Sequence, residues 1–297
     1  MTATPAVVHS LFIYPVKGCA AVELDASAVT STGLAHDREF MLVEADGGAF
    51  LSQRKVPGMA VLRPRVLDDG ARLVVSAPGL PDLAHVTRFD GPRRPVTVHW
   101  WTGEGCDQGD EAAEWFSRAL GRPCRLVRVP SDLERQLDDE GLVGFADAHA
   151  VLMTSLSSLD GLNLRIAEHG ADAVPMNRFR PNIVVSGWDE PHTEDQVSRA
   201  VIGSAELGYA RMCVRCAVPT VDQETGLKAG HEPTRTLAGY RRAVGGSGVT
   251  FGMKAKVLRT GELAVGDKVD VSDWLAGTST LDAAPAQVPV FGEGADQ

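Results

Sequence analysis

Residues 206–222 read Glu206-Leu207-Gly208-Tyr209-Ala210-Arg211-Met212-Cys213-Val214-Arg215-Cys216-Ala217-Val218-Pro219-Thr220-Val221-Asp222. Glu206–Arg211 reads as a strand, and it runs into a Cys-x-x-Cys pair, Cys213 and Cys216. The residues just after that pair decide the fold. A thioredoxin-type dithiol opens a helix after its strand. Here Pro219 and the β-branched Val218, Thr220 and Val221 oppose a helix. The pair therefore sits on strand and loop, as in a β-rich protein.

The flanking sequence carries the same signature. Further strands are expected at Val7–Tyr14, Glu39–Glu44, Val61–Leu67, Leu73–Ala77, Val96–Trp101 and Arg125–Val129. The later ones are Ala150–Met153, Asn182–Ser186, Thr250–Leu258 and Lys268–Val271. Helices are few. Asp110 can cap one that turns Ala112, Trp115, Phe116 and Ala119 inward and stops at Gly121. Thr154 or Ser155 can cap a second, carrying Leu156, Leu159, Asn163 and Ile166 to a stop at Gly170. A third is expected from about Pro233 to Arg242. Strands outnumber helices without alternating with them, which predicts a mixed α/β, β-rich fold rather than a parallel βαβ sheet. The stretch Pro130–Glu140 is the expected boundary, giving modules at 5–129 and 130–273, with a flexible tail at 276–297.

With 29 Lys+Arg against 39 Asp+Glu the net charge is −10, which argues against a dedicated nucleic-acid surface. It leaves room for a local cationic pocket. Five dispersed cysteines argue against a disulfide framework. No stretch approaches the ~20 apolar residues of a membrane span. No basic n-region precedes the short apolar run Leu11–Tyr14, so neither a signal nor a transit peptide is read, and the expected location is cytoplasmic.

Three segments offer chemistry. The Cys213/Cys216 pair fits half of a zinc site, but no second Cys-x-x-Cys or His-x-x-x-His accompanies it. It also fits a reactive or metal-ligating thiolate favoured by Arg215, or two buried apolar-like cysteines. In Asn177-Arg178-Phe179-Arg180-Pro181-Asn182 an extended chain would turn Arg178 and Arg180 to one side and Phe179 to the other, with Pro181 favouring that extension. Two guanidiniums and nearby amides suit an oxyanion, although two solvated surface arginines fit as well. In Tyr14-Pro15-Val16-Lys17-Gly18, Gly18 permits close backbone approach to a phosphate beside the Lys17 charge, without the spacing of a Walker A loop. Asp37-Arg38 fits either an anion contact or an ion pair at a strand start.

In this order the segments resemble the MOSC family, the sulfurase C-terminal domain proteins that hold molybdenum cofactor. The resemblance is carried by Tyr14 to Gly18, Gly33 to Arg38 with Phe40–Val43, Arg178 to Ile183 and Cys213 to Cys216. It continues with Thr220-Val221-Asp222, Thr225-Gly226, Thr236-Leu237, Tyr240-Arg241, Phe251-Gly252 and Val265-Gly266-Asp267, covering roughly Val7 to Val271. The architecture looks like that of the amidoxime-reducing component group, an N-terminal β-barrel-like MOSC partner domain followed by a MOSC β-barrel domain.

That resemblance implies that Cys216 ligates molybdenum and that Cys213 is a neighbour. It implies that Lys17, Gly18, Arg38, Thr154, Ser155, Arg180 and Asn182, with Arg178 and Arg215, hold the pterin and its phosphate. Relatives often carry serine or another hydrogen-bonding residue where this chain has Gly18, which leaves only a backbone contact there. The implied activity is reduction of N-hydroxylated, N-oxide or S-oxide small molecules by oxygen-atom removal; from its nearness to Cys216 in sequence, Asp222 is expected to orient or relay a proton. The alternatives are a persulfide-based sulfur-transfer role and a cofactor carrier. No cysteine follows Cys216 to supply a ferredoxin-type cluster, so an external donor is expected: a ferredoxin, a flavin reductase or a cytochrome b5-like protein.

Overall fold

The structure is a computed structural model that describes residues 5–137, 141–243, 245–246 and 248–275. The expected tail at 276–297 lies outside the described residues.

The N-terminal half begins with β1 (Val7–Ile13), β2 (Val22–Leu24), β3 (Ala26–Thr30), β4 (Gly33–Leu34) and β5 (Phe40–Glu44). A three-stranded meander comes next, made of β6 (Arg63–Leu67), β7 (Arg72–Ala77) and β8 (Leu80–Val86). It leads into β9 (Arg93–Val98), β10 (Trp101–Asp107), α1 (Asp110–Leu120) and β11 (Cys124–Arg128). In α1 the buried Ala112, Trp115 and Phe116 recur at helical spacing and seal a core with Leu42, Met59, Leu73 and Leu126. The sheet β5-β11-β10-β9 curls round, and residues 49–50 bridge its two edges through Val43–Phe50 and Ala49–Thr97 pairs.

The second half holds β12 (Val151–Ser155), α2 (Leu156–Glu168), β13 (Ile183–Ser186), β14 (Val197–Ile202) and β15 (Ala205–Arg215). It ends with α3 (Thr234–Tyr240), β16 (Val249–Arg259), β17 (Gly261–Ala264) and β18 (Val269–Trp274). Its eight-stranded sheet runs β18-β14-β15-β16-β12-β13-β1-β2, around a core that includes Leu11, Met153, Ile183, Val185 and Leu207. The N–H of Val8 donates to Asp267 O and that of Val269 to Ala6 O, each at 2.8 Å, so β18 also meets β1.

The sheets join the two halves: β1 and β2 complete the large sheet, and β3 and β4 pair with β17, their apolar faces covered there. Two expectations change. Val96–Trp101 is not one strand. His99 takes a left-handed φ of 55° between β9 and β10, and Trp101 starts the return strand opposite Val98. Asp110 is the first residue of α1 rather than its cap; Gly109 precedes it at φ 92°, with its N–H on Asp107 Oδ1 at 2.7 Å. The cap of α2 is as expected, Ser155 Oγ accepting the Ser158 N–H at 3.2 Å, with Gly170 at φ 72° beyond its end.

Candidate functional site

A cleft opens where loops from the two halves meet. Lys17, Gly18, Arg38, Arg180, Asn182, Arg215 and Cys216 all line it, joined by Arg54, Asp147, Cys213 and Lys254. Six of the described lining residues are cationic and one, Asp147, is acidic, on a chain of net charge −10. Such a concentration of positive charge with low-dielectric walls attracts anions.

Lys17 reaches the cleft after β1. Its buried ammonium donates to Phe145 O at 2.8 Å and pairs with Asp147, which also meets His99 Nε2 at 3.1 Å. Burial pulls the Lys17 pKa down, and the Asp147 charge opposes the shift. At Gly18 φ is 83°, a left-handed conformation that favours glycine, while the nearest atom to an added Cβ is the movable end of Met59, Cε at 2.7 Å.

The two central arginines share one ring. The Arg38 guanidinium carbon lies 4.5 Å, and that of Arg180 4.2 Å, from the Tyr14 ring centroid. Arg38 pairs with Asp37 and donates to Asn182 Oδ1 at 3.0 Å. Arg180 donates to Gln223 Oε1 at 3.0 Å and Cys19 O at 2.7 Å. Burial pushes the Tyr14 phenol up to about 12, against the pull of both arginines. Asn182 is also structural: its Oδ1 accepts the Leu152 N–H and its Nδ2 donates to Phe12 O, both at 3.1 Å.

The extended alternation expected around Arg178 does not form. Met176–Phe179 is a 3₁₀ turn, Arg180 comes next at φ 55°, and Phe179 stacks on Phe251 with centroids 3.8 Å apart. Burying that ring overrides the local preference for an extended chain. Arg178 therefore points away from Arg180 and lies outside the lining, donating to Pro219 O at 3.1 Å and facing Asp222 at 3.4 Å.

Cys216 sits just past the last residue of β15 and is exposed, whereas Cys213 is buried and accepts a bond from Arg215 Nη1 at 3.0 Å. The other Arg215 arm donates to Phe179 O at 2.6 Å. Asp222, expected to serve protons, lies outside the lining and folds its own turn. Its Oδ1 accepts the N–H groups of Glu224 and Thr225 and the Thr225 hydroxyl, at 2.9–3.0 Å. Those Thr225 and Glu224 bonds hold its carboxyl below the ordinary range.

Thr154 and Ser155 are also outside the lining and fully buried. The start of α2, expected to receive a phosphate, already faces a carboxylate: Ser155 and Ser158 hydroxyls each donate to Glu194 Oε2 at 2.8 Å. Tyr14, Gln53, Gln223, Asp147, Arg54 and Lys254 are not singled out by sequence as site residues. Tyr14 belongs to the Tyr14–Gly18 motif, but nothing local marks it as the platform for two distant arginines.

Among the described residues, no three His, Cys, Asp or Glu side chains converge as a metal site. One soft thiolate beside a cationic cleft suits a metal carried on an anionic organic cofactor.

Residues 5–123 match the MOSC N-terminal beta barrel domain and residues 140–270 the MOSC domain. The chain is 33% identical to the mitochondrial amidoxime reducing component 2 of Bos taurus, covering 88% of this chain and 82% of that protein. Its identity to the mitochondrial amidoxime-reducing component 1 of Homo sapiens is 31%, over 88% and 82% of the two chains. It is 32% identical to the molybdenum cofactor sulfurase of Oryza sativa subsp. japonica, over 80% of this chain but only 31% of that protein. No helix among the described residues is long and apolar enough to cross a membrane.

Proposed function

The chain belongs to the MOSC family, and we propose that it is a molybdenum cofactor-dependent reductase of N-hydroxylated, N-oxide or S-oxide small molecules. The observation that carries the reading is the exposed Cys216 at the edge of a cleft with six cationic residues and one acid.

In this reading Cys216 supplies the thiolate ligand, while Lys17, Arg38, Arg180 and Arg215 neutralise the pterin phosphate and the charge around the metal. Gly18 lets the backbone approach, and Asn182 fixes Arg38 through the 3.0 Å bond to its Nη1. Arg178 and Asp222 act from behind the site. Together they staple the turn beyond Cys216, with Arg178 on Pro219 O and Asp222 on residues 224 and 225. Thr154 and Ser155 lie buried on β12, which pairs with β16 beside the cysteine strand. The chemistry that the cofactor supplies when bound is removal of the substrate oxygen, which with two electrons and two protons leaves as water. Asp147 is the acid of the cleft; Lys17 and His99 hold it and, against burial, keep its carboxyl well below the ordinary range, so it stays ionised and balances the cationic lining. Electrons come from a separate carrier such as a ferredoxin, flavin reductase or cytochrome b5-like protein. None of the five cysteines here is spaced for a plant-type cluster.

The test is turnover. Protein purified from a molybdate-fed host should convert benzamidoxime to benzamidine with reduced methyl viologen as donor. Cofactor-loaded protein inert toward amidoxime, N-oxide and S-oxide alike would overturn the reading.

A persulfide-carrying role is the second reading, favoured by Cys213, a second thiol in the same cleft with a guanidinium donor at 3.0 Å. Matching sulfurases are about three times longer than the aligned region. Mass spectrometry finding a labile extra sulfur on Cys213 or Cys216, in protein without metal, would favour it.

A further inference from the structure

We propose that Tyr14 is a positioning residue whose ring preorganises Arg38 and Arg180 as a two-guanidinium clamp for a phosphate monoester. The proposal rests on the reading of the cleft as an anionic cofactor's seat and adds what builds that seat before any ligand arrives.

Tyr14 is buried and tied to both arginine turns. Its N–H donates to Asp37 Oδ1 at 2.8 Å, its carbonyl accepts the Arg38 N–H at 2.9 Å, and its hydroxyl donates to Pro181 O at 3.0 Å. The two main-chain bonds hold Tyr14 against residues 37–38, and the hydroxyl bond ties the far end of its ring to residue 181. Both guanidiniums lie within 4.5 Å of its centroid, inside the range of cation–π attraction. Both arginines also hold left-handed backbone, φ 48° and 55°, a region that non-glycine residues seldom take. Conformational strain at a pair of like charges is the signature of a functional arrangement.

The charge count points to an anion. Among the described residues Arg38 has Asp37 as its carboxylate partner, while Arg180 meets only the Gln223 amide and the Cys19 carbonyl. A guanidinium has five N–H donors. The bonds above use two from each arginine, which leaves three on each for a ligand in the cleft that both line. A phosphate monoester offers three oxygens and up to two negative charges, matching two forks. A purely structural tyrosine would need no such convergence of cations on its face.

Tyr14→Phe, which gives up the hydroxyl bond to Pro181 O, is the reference, and the fluorinated series built on it varies the charge of the ring face. Tyr14→Phe and the mono-, di- and trifluorinated analogues of that phenylalanine are introduced into the full chain. Affinity of the cofactor-free protein for inorganic phosphate is measured by calorimetry at low ionic strength, beside the melting temperature. Each fluorine weakens the negative ring face while leaving the packing volume nearly constant. Tyr14→Phe should stay within about twofold of wild type, and affinity should then fall stepwise, to roughly tenfold weaker for the trifluorinated ring, with little change in melting temperature. Arg180→Gln should lose phosphate binding, which locates the signal at this seat. Equal affinity across the fluorinated series, with wild type binding phosphate, overturns the role of Tyr14 while leaving the seat intact. Absence of phosphate binding in wild type overturns both.

Discussion

Glu194 is fully buried, with two serine hydroxyls on Oε2, and burial followed by the charge of Asp195 pushes it up to about 7. In the unfolded chain a glutamate ionises near its ordinary value of about 4.3. Between that value and about 7 the folded protein keeps a proton that the unfolded chain has released, so this residue lowers stability as pH rises through the window. His192 contributes the opposite slope. Burial, then the Arg241 charge, lowers it to about 3, so its stability contribution is lost as pH falls below about 6.5. A Glu194→Gln substitution isolates the first effect. Its melting temperature relative to wild type should rise by a few degrees between pH 5 and pH 8. A difference that stays flat or narrows over that range would contradict the assignment. Nothing in the sequence near Ser155 announces this carboxylate, because it arrives 39 residues later. The helix start and its serine cap are legible from local spacing. What occupies that end is decided by tertiary packing.

The strand pair β15–β16 delivers both cysteines. Its register ends with Val214 opposite Thr250 and Arg215 opposite Val249, so the position of Cys216 depends on β16 staying in place. Gly252 sets that strand against β12: at φ 80°, a Cβ there would stand 2.8 Å from both Met153 O and Thr154 Cγ2. The nearest obstacle is backbone and cannot swing away. Gly252→Ala should cost about 2–4 kcal/mol, lower the melting temperature by roughly 5–10 °C and reduce cofactor retention. An unchanged melting temperature would show that the β12–β16 approach is looser than described. Strands such as β1, β5, β11 and β16 are legible because their residues alternate or run apolar between turn signals. The hairpin splitting Val96–Trp101 is not. Its turn uses His99 at positive φ rather than a glycine, and a β-branched and aromatic run flows through it.

Across the whole molecule, the site is an assembly of distant segments. Arg180 bonds the carbonyl of Cys19 across 161 positions, Arg38 meets Asn182 across 144, and Gln53 meets Gln223 across 170. No spacing rule relates residues so far apart, which is why each motif read alone leaves several chemistries open. Their order along the chain resolves the family, and the folding of β1 and β2 into the large sheet explains why the N-terminal lysine and arginine reach the cysteine strand. An acidic protein thereby gathers six cations around one cleft. If that cleft holds a molybdenum cofactor through a single thiolate, the metal content must depend on one sulfur atom. The decisive measurement is molybdenum and released pterin per chain in wild type and Cys216→Ala, both purified from a molybdate-fed host. Near-stoichiometric metal and pterin are expected in wild type, with metal lost and pterin still detectable in Cys216→Ala. Stoichiometric molybdenum retained without the Cys216 sulfur would contradict ligation by that thiolate.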